Sequence, residues 1–255
     1  MILTAGAAGA SPNYSGHNDH NNAVTCASGN VASGRYSSLT IKGHCTIPDG
    51  AVVTVSKHLF LNPGSSLNAM TASTVHVKGS VLVARDAYFA LGCSLELTQP
   101  PFPGGPVFCP AGVSHDQVDG NVIATQPRTL KINGVTLNGN LVSVGGGAAV
   151  TGPSSSTCEQ QPAPLNFPIK DNTINGNVLV SGWQGCWLGY IRNVTSGNAV
   201  FIGNRTADAD SSEIFTNTIS RNLICLANSP APQVGDSHGE LNTVRGRSIG
   251  QCAGL

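Results

Sequence analysis

The sequence predicts an all-β solenoid of short parallel strands, and three observations predict it. Charged residues make up only 10% of the 255-residue chain, while 31 glycines accompany a hydrophobic content of 40%; ordinary soluble domains carry roughly 25% charged residues. Abundant Val, Ile, Leu, Thr and Asn with little Glu and Lys favours strands and tight turns over helices. Short alternating apolar segments, each closed by Gly or a polar turn, recur at a period of roughly 20 to 22 residues.

Taken in order, the segments run 39–43, 45–50 and 52–56, then 59–64, 66–69 and 74–79, then 81–84, 88–92 and 94–98. Grouped in threes, the first members start near 39, 59 and 81, the second near 45, 66 and 88, and the third near 52, 74 and 94. Each coil therefore carries three strands. Coils stacked about 4.8 Å apart let inward Val, Ile and Leu join one continuous core, with backbone hydrogen bonds running between coils. Hairpins are disfavoured because two-residue Asn-Gly or Asp-Gly turns are mostly absent between the strands. In the second half, Asn177, Asn198 and Asn222 each sit in a turn before an apolar strand, 21 and 24 residues apart, and Asn140 fits the same phrase. Asn side chains stacked in successive coils can bond up and down their column, which makes their role structural.

On this periodicity and these Asn turns, residues 38–250 resemble the right-handed parallel β-helix superfamily that includes pectate lyases. The resemblance is one of architecture. It implies an all-β, right-handed, three-faced parallel β-helix over residues 38–255, and it suggests an extracellular polysaccharide or cell-wall glycan as partner. Two stretches interrupt the coils: the Pro-rich 99–127 and the Gly-, Ser- and Pro-rich 145–168, both too long for coil turns. Residues 229–255 read as a C-terminal cap covering the last strand edges. Residues 1–37 form an N-terminal segment; Ala8, Gly9 and Ala10 resemble a signal-peptide cleavage site.

Eight cysteines without a Cys-x-x-Cys pair argue for disulfides in an oxidising compartment, hence a secreted protein, and against zinc. Eight cysteines allow about 105 pairings, and the spacing does not choose among them. Zero formal net charge removes the electrostatic case for nucleic acid. No apolar run approaches the roughly 18 residues of a membrane span. Asn13, Asn193 and Asn204 head formal glycosylation sequons.

The repeat also orders the candidate chemistry. With Val53, Val55, Val75, Val77, Leu95 and Leu97 inward, the alternate third-strand residues form two outward columns, Thr54–His76–Glu96 and Ser56–Lys78–Thr98. His76, Lys78 and Glu96 would then share one face as base, cation and acid, with His115 and Asp116 brought beside them by the first insertion. The plainer reading of such a trio is a solvated, mutually compensating surface. Lyase chemistry on a uronic acid needs a base and a cation, roles open to His76 and Lys78. Hydrolysis needs two carboxyl groups roughly 5 to 9.5 Å apart, for which Glu96 with Asp116 is the available pair. No cofactor signature is evident; calcium is the cation such a protein could carry, though no acidic cluster marks a site for it. The G-x-S-x-G match at 235–239 lacks a strand–turn–helix context, and His17, Asp19 and His20 lie in a polar N-terminal stretch; both read as chance. The expectation is thus a protein that interacts with extracellular polysaccharide, with a lyase ahead of a glycoside hydrolase if it cleaves. The alternative is a non-catalytic, wall-associated, adhesive or structural solenoid, monomeric or assembled end to end.

Overall fold

A computed structural model describes residues 22–100, 103–148, 158, 165–207, 209–235 and 239–255. Among the described residues it contains 25 strands and a short 3-10 turn at Leu95–Thr98, the strands forming one sheet of sixteen and one of nine. All pairings between strands are parallel, and each strand bonds to its counterpart one coil away, in a solenoid-like stack compatible with a parallel β-helix. Strand Ser38–Thr46 joins two ladders. Its first half pairs with Leu59–Leu61 and its second half with Ser66–Ala69.

The sixteen-stranded sheet thus divides at Ser38–Thr46 into two ladders, and with the nine-stranded sheet these hold the strand sets read from the period, apart from 94–98. The first-strand ladder runs from Leu59–Leu61 through Val122–Thr125 and Val178–Ser181 to Ser248–Gly250. The second-strand ladder includes Tyr88–Leu91, Thr129–Asn133, Asn166–Lys170, Trp187–Ile191 and Ser212–Phe215. The third-strand ladder is the nine-stranded sheet, from Gly34–Tyr36 through Thr74–Val77 and Asp116–Val118 to Thr243–Val244. Alternation buries every second side chain, so Val53, Val55, Val75 and Val77 enter the core as expected. In the later coils the core gains Phe167 against Trp183 and Tyr190 against Phe201, with ring centroids 5.0 and 5.1 Å apart.

The corner before the first strand explains the Asn phrase. A Cβ on Gly176 would lie 2.4 Å from the carbonyl oxygen of Gly139 one coil away, so glycine lets these two coils close up, while the later coil carries Arg221 at the equivalent position. The Asn that follows each such glycine bonds to its neighbours: Asn177 Nδ2 donates to Asn140 Oδ1 at 3.2 Å, and Asn198 Nδ2 to Asn177 Oδ1 at 3.1 Å. Two further ladders, Asn172–Asn193–Asn217–Asn242 and Asn204–Asn228–Gln251, are buried except at their half-buried last rungs, Asn242 and Gln251. They occupy Asn193 and Asn204, the two later sequon residues, whose amides are spent inside the fold and are not presented for glycosylation.

The first insertion starts earlier and ends sooner than its proline content suggests. The chain leaves the ladder at Gly92 and is back in it at Asp116–Val118 and Val122–Thr125, within the stretch expected to be inserted. The cysteines pair in sequence order, Cys26–Cys45, Cys93–Cys109, Cys158–Cys186 and Cys225–Cys252. Cys93–Cys109 closes the first insertion on itself. Cys158–Cys186 ties the second to the body, while Cys225–Cys252 holds the chain end against a core strand. The N-terminal His17, Asp19 and His20, and Ser237 with His238, lie outside the described residues.

Candidate functional site

The outer face of the third-strand ladder holds His76 where the repeat places it. Thr54 pairs with His76, His76 with Gln117, Gln117 with Thr136, and Thr136 with Thr173. A second outward column follows two residues later: Lys78, Asp119, Asn138 and Asn175 each donate a backbone N–H to the coil before. Side chains of the two columns interlock. His76 Nε2 lies 2.7 Å from Asp119 Oδ2, while Gln117 and Asn138 donate to Asp119 Oδ1, the latter at 3.0 Å. Asn175 Nδ2 continues the row to Asn138 Oδ1 at 2.9 Å. The hydrogen bond from Gln117, with those from His76 and Asn138, holds the Asp119 carboxyl below the usual carboxylate range. Beyond Asn175 the surface opens into a polar hollow of about 510 Å³ lined by Asn177, Ser196, Asn198 and Arg221.

Glu96 does not stand in this row. Leu95–Thr98 is a 3-10 turn with Leu95 68% exposed, not the third strand of its coil. A Leu-Glu-Leu-Thr run has the alternation of a strand, but here the disulfide-closed insertion takes the chain out of the ladder after Leu91. Asp116–Val118 supplies the missing strand. Glu96 instead binds the Arg192 guanidinium and faces Lys170 Nζ at 3.8 Å, and so belongs to a different surface. Asp116 is also displaced from the expected cluster: it points inward, is only 4% exposed, and its Oδ1 accepts the Val75 N–H at 2.7 Å. A carboxylate inside the coil and one bound to Arg192 cannot flank one glycosidic bond. Lys78 is exposed at the edge of the His76 row, and His115 is exposed on the approach to its strand.

No protein-family model, curated protein or solved structure matches this chain.

Local geometry is therefore what speaks to function, and it identifies a second cluster that the repeat did not signal. On the outer face of the second-strand ladder, Arg192 Nε donates to Asp171 Oδ1 at 2.6 Å, and Lys170 Nζ sits 5.1 Å above the Trp187 ring. Trp187 lies across Gly189, where a Cβ would come within 1.9 Å of the ring, and its Nε1–H donates to Glu213 Oε2 at 3.2 Å. Lys131 is 5% exposed, with its ammonium 5.6 Å from the Tyr88 ring centre. Burial lowers the Lys131 and Lys170 pKa values, opposed at Lys170 by the charges of Asp171 and Glu213. The available signal was Lys131 and Lys170 at outward positions of consecutive second strands, obscured by the insertion between them. Among the described residues no group of three or more His, Cys, Asp and Glu side chains converges as a metal site. Asp119, the carboxylate of the His76 row, is already committed to three partners. Calcium, which requires six or more oxygen ligands, has no cradle there.

Proposed function

We propose that this chain is a secreted, right-handed, three-faced parallel β-helix that binds a linear polysaccharide along its third-strand face. One observation carries the reading: His76, Gln117, Asp119, Asn138 and Asn175 form a continuous hydrogen-bonded row across successive coils that ends in a polar hollow. A linear glycan offers hydroxyls at a regular interval, and this row meets them with amide donors, amide acceptors and a carboxylate. Intramolecular bonds fix these side chains in advance, which lowers the ordering cost of binding. Four disulfides fit an extracellular setting.

The His76–Asp119 contact favours a second reading, in which the row also cleaves an acidic glycan by elimination. With Nε2–H donated to Asp119, Nδ1 keeps its lone pair and can accept the proton next to a uronate carboxylate. Lys78 supplies positive charge for the developing enolate; as the new double bond forms, the bond to the leaving sugar oxygen breaks and that oxygen takes up a proton from water. Two-carboxylate hydrolysis by Glu96 and Asp116 is not part of this proposal.

Affinity electrophoresis against neutral and acidic polysaccharides, paired with reducing-end release, tests both readings. Retardation of the parent is expected, weakened roughly tenfold by Asn138→Ala through loss of one hydrogen bond in the row. New reducing ends that disappear in His76→Ala and Lys78→Ala would add catalysis to binding. A folded parent retained by no polysaccharide in a broad panel overturns the proposal.

A further inference from the structure

Outward residues of the first-strand ladder are apolar at rung after rung. Phe60 pairs with Leu82, Leu82 with Ile123 and Ile123 with Val142, and the stripe continues through Leu179 and Val200 to Ile224 and Ile249. Eight rungs about 4.8 Å apart make a line about 34 Å long. The outward column on one side carries Ala84, Thr125, Val144, Ser181, Ile202 and Leu226. On the other side runs the hydrogen-bonded Asn ladder that includes Asn140 and Asn177. From the Leu82 rung to the Ile224 rung these three columns contain no ionisable side chain. Monomeric proteins rarely expose contiguous apolar surface on this scale.

Around Phe60, Leu82, Ala84, Ile123 and Thr125 the face dips into a hollow of about 420 Å³. At the other end Leu226 and Ile249 are 43% and 39% exposed.

We propose that this face binds the same face of a second copy, the two chains running antiparallel about a two-fold axis between the Val142 and Leu179 rungs. That axis sets Ile249 against Phe60, Ile224 against Leu82, Val200 against Ile123 and Leu179 against Val142. In the neighbouring column it sets Leu226 against Ala84, Ile202 against Thr125 and Val144 against Ser181, a larger side chain facing a smaller one each time. The Leu226 end of each chain thereby lies over the hollow of the other. Asn140 meets Asn177 of the second copy, amide against amide. A parallel arrangement would instead lay the Asn column on Val144, Ile202 and Leu226, burying amide groups against aliphatic carbon at a cost. The second copy is favoured over an unrelated partner because both surfaces then share one repeat, so every rung meets a rung across the roughly 10 Å of a packed sheet pair. Three columns about 7 Å apart over that length cover roughly 700 Å² a side, close to the roughly 800 Å² of a standard stable interface.

Sedimentation equilibrium of the full chain tests the pairing. The parent is expected at twice its 26.0 kDa chain mass. Ala84→Glu and Leu226→Lys each put a charge into the same contact, and each is expected to weaken association roughly tenfold or more with unchanged circular dichroism. The double variant sets a carboxylate opposite an ammonium in both copies of that contact and is expected to recover the dimer. A parent monomeric at about 100 µM, a concentration that populates even weak specific dimers, overturns the proposal. So does a dimer indifferent to both single variants, and failure of the double variant to recover overturns the antiparallel register. None of these outcomes depends on whether the chain binds a glycan.

Discussion

Asp116 occupies a rung where later coils place Asn. Its Oδ1 accepts the Val75 N–H just as Asn172 Oδ1 accepts that of Val135 and Asn193 Oδ1 that of Asn172, but its Oδ2 is buried with no partner. Burial pushes the Asp116 carboxyl up to about 7, against the opposing pull of the nearby Ser114 hydroxyl and the Val75 N–H. Val75 and Val135 flank it in the ladder, while the nearby imidazoles of His76 and His115 lie on the outer side. The sign follows from linkage. A carboxyl whose folded pKa exceeds its unfolded value near 3.8 stabilises the fold fully below that value, and the contribution is lost as pH rises through about 7. The loss accrues at about 1.4 kcal/mol per pH unit between the two values. Asp116→Asn removes this titration and restores a donor to the rung, so the variant is expected to outlast the parent in urea at pH 8. Its advantage should shrink as the pH is lowered to 4; an advantage independent of pH would mean that Asp116 does not titrate with folding. The same residue shows where sequence reading stopped. The exposed Asn ladder was legible because its turns repeat as a phrase, whereas Asp116 and the buried Asn172–Asn242 ladder stand at inward positions, where a polar residue breaks the apolar pattern that marks a core.

At the level of elements, the corners decide how tightly the coils stack. The corner after each first strand holds a left-handed backbone: Gly145, Gly182 and Gly203 have φ of 66, 68 and 63°, and the next coil continues the column with Ala227 at 52°. Gly182 N–H donates to Ile202 O and Gly203 N–H to Leu226 O, so these residues belong to one column of inter-coil bonds. A Cβ on Gly182 would meet nothing closer than 3.8 Å, which makes substitution there a measure of backbone strain alone. Gly182→Ala is expected to cost about 1 to 2 kcal/mol. Ala227→Gly relieves the same strain but loosens the unfolded chain, for a net gain of about 0.5 to 1 kcal/mol. Chemical denaturation of both variants reads the pair, and equal effects of one sign would break the equivalence of the two corners. Element boundaries were legible where the period held. They failed at 94–98, where an alternating run met an insertion and a local disulfide outweighed the repeat.

Across the molecule the period was readable because each coil must place apolar side chains over those of the next; no comparable constraint orders the outer faces, so the partners of Glu96 and Asp119 were not. The same one-dimensional stacking governs stability: apart from the Glu96 insertion, which reaches Lys170 and Arg192 further along the stack, the ladder bonds run between adjacent coils, and the terminal coils have a neighbour on one side alone. Cys26–Cys45 and Cys225–Cys252 lie near those two ends. Cys225–Cys252 closes a 27-residue separation, and a crosslink of that span is worth about 3 to 4 kcal/mol through the unfolded chain. A terminal coil released from its crosslink should open without the coils behind it, because its unfolding sacrifices only one interface. Cys225→Ala with Cys252→Ala is therefore expected to speed amide exchange in Leu223–Leu226 and Ser248–Gly250 while Thr129–Asn133, several coils away, keeps its protection. Equal loss at Thr129–Asn133 would mean that the stack unfolds as one cooperative unit and that the terminal disulfide stabilises every coil alike.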